Sequence, residues 1–192
     1  PLLAGRVSGD RFKLALPDMG LSLSQGRFRA ELRDQVLHLD ELTIQGGDGR
    51  LSGQGRLALE GGSSVMQLGL KADKLEVLSR TDRHLILSGT SDASFAADRL
   101  LVVARLKADR GTIELPRGDT PTLSDDVVVL GRSSGKERKA LPFAMKLALD
   151  IDLGESFVVK GKGLDAQLGG ALHVSGEGGG APSARGSVRV VK

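Results

Sequence analysis

The sequence contains no cysteine, tryptophan or tyrosine, and phenylalanine, with five copies in 192 residues, is its only residue with a large aromatic ring. Without cysteine the chain forms neither disulfides nor thiolate metal sites. It also lacks the run of roughly 18 apolar residues that a membrane-spanning helix needs. Aromatic residues make up only 3% of the chain, so few large rings are available to anchor a core. The apolar surface must therefore be mainly aliphatic.

The chain also has no large excess of charge of either sign. The 27 Lys and Arg residues nearly balance 24 Asp and Glu residues, which leaves a formal net charge of +3. The basic residues are scattered singly, whereas nucleic-acid binding proteins carry clustered basic patches, usually with aromatic residues for stacking. We therefore expect a solvated polar surface and no nucleic-acid partner.

Alternation of apolar and polar residues is the main pattern that is present. From Phe143 to Leu153 every second residue is apolar, with Lys146, Asp150 and Asp152 among the residues between them. A strand directs successive side chains to opposite faces, so this run predicts one apolar and one polar face. Similar runs recur along the chain and are separated by glycines or turn clusters, which is typical of antiparallel all-β proteins. The predicted fold class is all-β, with an elongated antiparallel sheet.

The pattern keeps its character throughout, so we predict one continuous domain over residues 1–192. A loop or hairpin excursion is expected at 116–140, where Pro, Asp, Ser and Gly are frequent. A loose internal repeat relates residues 42–59 to residues 157–176, and each copy is typical of a hairpin with glycines at strand positions. The best candidate for a helix is 72–81.

Two short motifs match enzyme signatures without the context those signatures require. Residues 131–135 fit the G-x-S-x-G nucleophile elbow, which needs a parallel α/β sheet. Residues 161–166 fit a dinucleotide fingerprint, which needs a helix at its second glycine, whereas an alternating strand pattern follows here. We therefore predict that the chain is not an enzyme and needs no cofactor.

The titratable residues show no metal-ligand spacing. Asp150 and Asp152 share one parity of a strand, where they are interpreted as part of its polar face. His38, His84 and His173 stand alone in the sequence, so no metal site is predicted.

The apolar face is the remaining functional feature. With no helices to cover it, such a sheet folds on itself, pairs with a partner or holds an apolar ligand. Curled along its length, it would form a trough suited to acyl chains or to nascent β-strands. The residues predicted to line this groove are Leu14, Leu16, Leu57, Leu59, Leu68, Leu70, Phe95, Val102, Leu106, Phe143, Met145, Leu147, Leu149, Ile151, Phe157, Val159, Leu168, Leu172, Val174, Val188 and Val190.

Two stretches, 121–129 and 149–172, resemble the C-terminal conserved domain of the TamB family, which belongs to the wider AsmA-like group. The glycine-punctuated segment 42–59 is similar to the β units of that family. The resemblance implies a long U-shaped sheet with a hydrophobic concave face, called a β-taco. It also implies a place in the translocation and assembly module of Gram-negative bacteria, together with a TamA-like outer-membrane barrel.

Two functions follow from the resemblance. The first is a periplasmic groove that conducts phospholipid between the inner and outer membranes, with acyl chains as its ligands. The alternative is a chaperone-like module that assists insertion of outer-membrane β-barrel or autotransporter proteins by strand pairing. Because the chain starts at Pro1 and stops at Lys192 in mid-pattern, we expect a fragment of a longer protein, anchored in the inner membrane by a segment outside it.

Overall fold

One sheet accounts for all the strands of the computed structural model, which describes residues 4–17, 20–60, 63–115, 143–178 and 182–192. These residues contain no α-helix, which confirms the predicted all-β class. The strands are β1 (Gly5–Leu16), β2 (Leu21–Arg33), β3 (Val36–Gly46), β4 (Gly49–Glu60), β5 (Ser63–Ser79), β6 (Arg83–Ala96), β7 (Arg99–Glu114), β8 (Ala144–Asp152), β9 (Phe157–Gly161), β10 (Leu164–Glu177) and β11 (Ser183–Val190).

The first seven strands form a meander in which each strand is antiparallel to the next. Several of the connecting turns have two residues. Asp34 and Gln35 both have positive φ, as do Ala97 and Asp98. Positive φ at both central residues gives the backbone twist that two-residue hairpins favour. The two segments of the internal repeat also lie in hairpins, β3–β4 and β9–β10.

The sheet contains one parallel junction, which the alternating pattern did not predict. Both β8 and β9 run parallel to β7, and β10 pairs antiparallel with both of them on the other side. Ala144, at the start of β8, therefore lies beside Arg99, at the start of β7, and not beside its end. The excursion predicted at 116–140 lies outside the described residues.

The helix predicted at 72–81 is wrong, because β5 continues as a strand to Ser79. Its register shifts twice, so that Ala72 pairs with Gly89, Leu75 with Leu87 and Leu78 with Leu85. Each shift inserts an extra residue, and the apolar positions consequently fall three residues apart. That spacing imitates the period of a helix.

A small buried core lies where the sheet curls on itself. Leu23, Ile44, Ala72 and Leu75 form one cluster, in which each residue is at most 8% exposed. The Ser79 N–H of β5 donates a hydrogen bond of 2.9 Å to the carbonyl oxygen of Gly20, just before β2. In a flat sheet β2 and β5 would lie about 14 Å apart, three strand spacings, so the sheet must curl here. The cluster lies inside that curl.

Candidate functional site

The strand registers assemble the predicted groove residues on a single face. Cross-strand partners in a sheet direct their side chains to the same side, so a chain of pairings defines a row across the sheet. One row joins Leu57, Met66, Phe95, Leu100 and Met145. The next rows contain Leu68, Ala93, Val102 and Leu147, then Leu70, Ser91, Ala104, Leu149 and Val174, then Ala72, Gly89, Leu106, Ile151 and Leu172. We call the face that carries these rows the apolar face.

The other candidate residues fall on the apolar face as well. Phe143, which lies outside the strands, and Leu59 are described separately below. Phe157 pairs with Gly111 and Leu168, and Val188 and Val190 of β11 pair with Gly170 and Leu168. Phe143 lies just before β8, with its ring centroid 5.8 Å from that of Phe95 in an edge-to-face arrangement. Leu59 belongs to β4, but its side chain lies outside the described residues.

Several residues of the apolar face were missed from the sequence. Leu37, Leu39 and Leu42 of β3 belong to it, because they pair with Leu57, Gly55 and Gly53 of β4. A register shift between Leu39 and Leu42 changes the parity within the strand. The alternation before the shift and the alternation after it were both visible in the sequence, but only the pairing shows that they belong to one face.

Many side chains of the apolar face are partly exposed to solvent. Met145, Leu147, Leu149 and Ile151 of β8 are all half-buried, whereas Lys146 between them is exposed. The main contacts of β8 in the described chain are with its sheet neighbours β7 and β10. This part of the face is therefore a partly accessible apolar surface.

Phenylalanine rings cover glycines on this face. A Cβ atom added to Gly111 would overlap the ring of Phe157, its partner across the strands. Gly9 and Phe28 form another such pair. A ring over a cross-strand glycine is held close to the sheet, because no side chain stands beneath it. The bulkiest side chains therefore add little height to the surface.

The opposite face is mainly polar, although Leu101 and Val103 of β7 also lie on it, 39% and 37% exposed. Asp150 of β8 lies 2.7 Å from the Nδ1 atom of His173 in β10, and Asp152 accepts a hydrogen bond from the backbone of Gly154. A shallow groove of about 570 Å³ runs between rows of these polar side chains, with Arg105 and Arg185 on its sides. In the described part of the chain, no group of three or more His, Asp or Glu residues could hold a metal ion.

Two exposed ion-pair clusters mark the periphery. Hydrogen bonding from Arg33, with a further contribution from Arg6, lowers the pKa of Glu31 at the β1–β2 edge. In the β5–β6 connection, a hydrogen bond from Arg83 and another from Arg80 lower the pKa of Asp82. Both clusters are on the surface, away from the apolar rows.

Comparisons with known proteins identify the family. No curated protein gives a significant match, and neither does any solved structure. No helix in the described residues is long and apolar enough to cross a membrane. The sequence model of one protein family, the TamB C-terminal domain, matches residues 40–192, which is well over half of the chain. The chain therefore belongs to the TamB C-terminal domain family.

Proposed function

We propose that this domain is a periplasmic hydrophobic groove that holds the acyl chains of phospholipids as they pass between the inner and outer membranes. The observation that carries the proposal is the partly accessible apolar face, whose rows of mainly apolar side chains cross the strands between β4 and β10. Monomeric soluble proteins rarely leave a large contiguous apolar surface without a partner or ligand. Membership of the TamB family supports a role in envelope transport or assembly.

The chemistry of the face fits a mobile lipid. Leu, Val, Ile, Met and Phe offer dispersion contacts that are individually weak and not directional. An acyl chain can then exchange one set of contacts for another without breaking a hydrogen bond. The curl around Leu23, Ile44 and Leu75 encloses the apolar face at one end, which favours a U-shaped trough with this face on its concave side. Charged head groups would remain in water at the rim.

The proposed setting follows from the family. The domain would work within the translocation and assembly module, beside a TamA-like outer-membrane barrel, in a protein held at the inner membrane by a segment outside this chain. We propose no enzymatic activity for it.

Photo-crosslinking in cells tests the groove. The probe is placed at Leu149, on the apolar face, or at Lys146, which lies in the same strand but is exposed on the polar face. We expect phospholipid adducts at Leu149 and none at Lys146. Lipid adducts in equal amounts at both positions, or at neither, would refute a lipid path along the apolar face.

A second candidate function is assistance in the assembly of outer-membrane β-proteins by strand pairing. The specific observation that favours it is β11, which has a partner strand on one side only in the described part of the chain and all of whose residues are exposed there. An unpaired edge presents a row of backbone donors and acceptors that can accept a strand from another chain. Protein adducts without lipid in the crosslinking experiment would favour this function.

A further inference from the structure

Two of the three methionines of the chain lie in a single row of the apolar face. Met66 of β5 pairs with Phe95 of β6, and Met145 of β8 pairs with Leu100 of β7. Phe95 and Leu100 pair with each other, so the row is continuous from one methionine to the other. The third methionine, Met19, lies outside the described residues. The sulfur-containing side chains that the structure places on the apolar face are therefore at one level of the sheet.

This methionine row lies at the opposite ends of the strands from the buried cluster. Met66 is near the start of β5, whereas Leu75 of the buried cluster is near its end. Phe95 comes two residues before the turn at Ala97, and Met145 is the second residue of β8. The side chains of both methionines are half-buried, whereas Leu75 is only 4% exposed. Solvent and small solutes therefore have access to the methionine row.

Methionine differs in its chemistry from the leucine, valine and isoleucine of the other rows. Its flexible, polarisable thioether adapts well to an apolar ligand, but the sulfur can be oxidised. In the reaction with hydrogen peroxide, the sulfur lone pair attacks one peroxide oxygen, the O–O bond breaks, and the other oxygen leaves as water with both protons. The sulfur loses two electrons and the peroxide gains them. The product is methionine sulfoxide, which is polar and which reductases convert back to the thioether.

We infer that Met66 and Met145 are oxidation sites through which peroxides reversibly weaken ligand binding to the apolar face. The inference rests on the proposed function of this face as a groove for acyl chains. Leu57, Phe95 and Leu100, the other members of the methionine row, have no hydrogen-bond donor in their side chains. An acyl chain could cover a sulfoxide there only by removing water from its oxygen, with no donor to replace that water. Oxidation therefore opposes binding at this row.

Peroxide treatment followed by lipid titration tests the inference. The probe is phosphatidylethanolamine with a pyrene-labelled acyl chain, and mass spectrometry measures the sulfoxide at each methionine. We expect hydrogen peroxide to oxidise Met66 and Met145 and to weaken lipid binding by about tenfold, and methionine sulfoxide reductase to restore it. The double variant Met66→Leu with Met145→Leu should bind the lipid equally before and after treatment. Met19 remains in this variant, so it controls for oxidation elsewhere in the chain.

Glutamine variants separate the effect of polarity from general oxidative damage. Met145→Gln places a polar side chain of similar length in the methionine row and should weaken binding without peroxide, whereas Lys146→Gln on the opposite face should not. Both variants must keep the circular dichroism spectrum of the unmodified chain.

Three results would overturn the inference: unchanged lipid binding after Met66 and Met145 are converted to sulfoxides, equal loss of binding by the peroxide-treated double leucine variant, or oxidation of Met19 under conditions that leave both sites unmodified. Each of these results leaves the proposed function intact, because the untreated chain still binds the lipid. Failure of the untreated chain to bind the lipid would instead refute the proposed function, and this inference with it.

Discussion

Phe157 and Gly111 show how single residues shape the apolar face. The ring occupies the space that a side chain at position 111 would fill, and Phe28 does the same over Gly9. The missing side chain of each glycine accommodates a bulky ring from the neighbouring strand. A sequence cannot reveal this role, since it depends on which glycine the register places opposite which phenylalanine.

Asp82 gives a prediction about pH at the residue scale. Its pKa lies below the ordinary value of 3.8, mainly because of the hydrogen bond from Arg83. A lowered pKa in the folded state stabilises the fold above the unfolded value, and the stabilisation disappears as the pH falls through the folded value. We expect Asp82→Asn to lower the melting temperature slightly at neutral pH, and the difference from the unmodified chain to vanish in strong acid. Thermal unfolding monitored by circular dichroism at several pH values measures both effects. A difference that grows as the pH falls would contradict the assigned ion pair.

At the scale of the strands, the sequence predicts which residues share a face only where the register is regular. Alternation correctly indicated strands across β8 and β10, where the register contains no shift. It failed in β5, where Lys74 has a φ of 48° and the pairing is displaced on both sides of Leu75. A bulge changes which residues share a face, yet no residue type is reserved for it. Its position is determined by the neighbouring strand, which is information that local patterns do not carry.

Gly154 allows a prediction about the break between β8 and β9. It has a φ of 64°, and a Cβ at this position would overlap the carbonyl oxygen of Ala108 in β7. Gly154→Ala therefore combines a left-handed backbone with a backbone clash, and should destabilise the fold by about 2 kcal/mol or more. The melting temperature should fall by about 5 °C.

Gly178 provides the matched control for this prediction. It has a φ of 71°, but an added Cβ would meet no atom within 4 Å. Gly178→Ala should therefore show only the cost of the left-handed conformation, and a smaller fall in melting temperature than Gly154→Ala. Equal falls for the two variants would mean that the contact with Ala108 does not constrain the break.

At the scale of the whole molecule, one sheet both buries a small core and leaves apolar residues partly exposed. The buried cluster around Leu23 and Leu75 lies between strands that are not neighbours, whereas the main contacts of β8 are with its adjacent strands. The sequence predicted the apolar parity but did not distinguish these two regions. The curl depends on a contact between β2 and β5, and the parallel pairing of β7 with β8 depends on a long connection. Neither feature can be recognised from the alternation of apolar and polar residues.

Leu149 lies in the middle of the accessible region and provides the last test. It pairs with Ala104 on one side and with Val174 on the other. An aspartate there would place a charge among aliphatic side chains, where an acyl chain could approach it only by removing its water. We expect Leu149→Asp to weaken binding of a fluorescent phospholipid by about tenfold, since desolvation of an unpaired polar group costs about 1–3 kcal/mol.

Lys146→Asp introduces the same side chain on the opposite face of the same strand, and should leave lipid binding unchanged. Both variants must keep the circular dichroism spectrum of the unmodified chain, so that a loss of binding is not a loss of fold. Normal binding by a folded Leu149→Asp chain would exclude β8 from the lipid path. Equal weakening by both variants would instead indicate that net charge controls binding. Selective weakening by Leu149→Asp would place the acyl chain on the apolar face, because the two variants share a strand and an introduced residue and differ in the face that carries the charge.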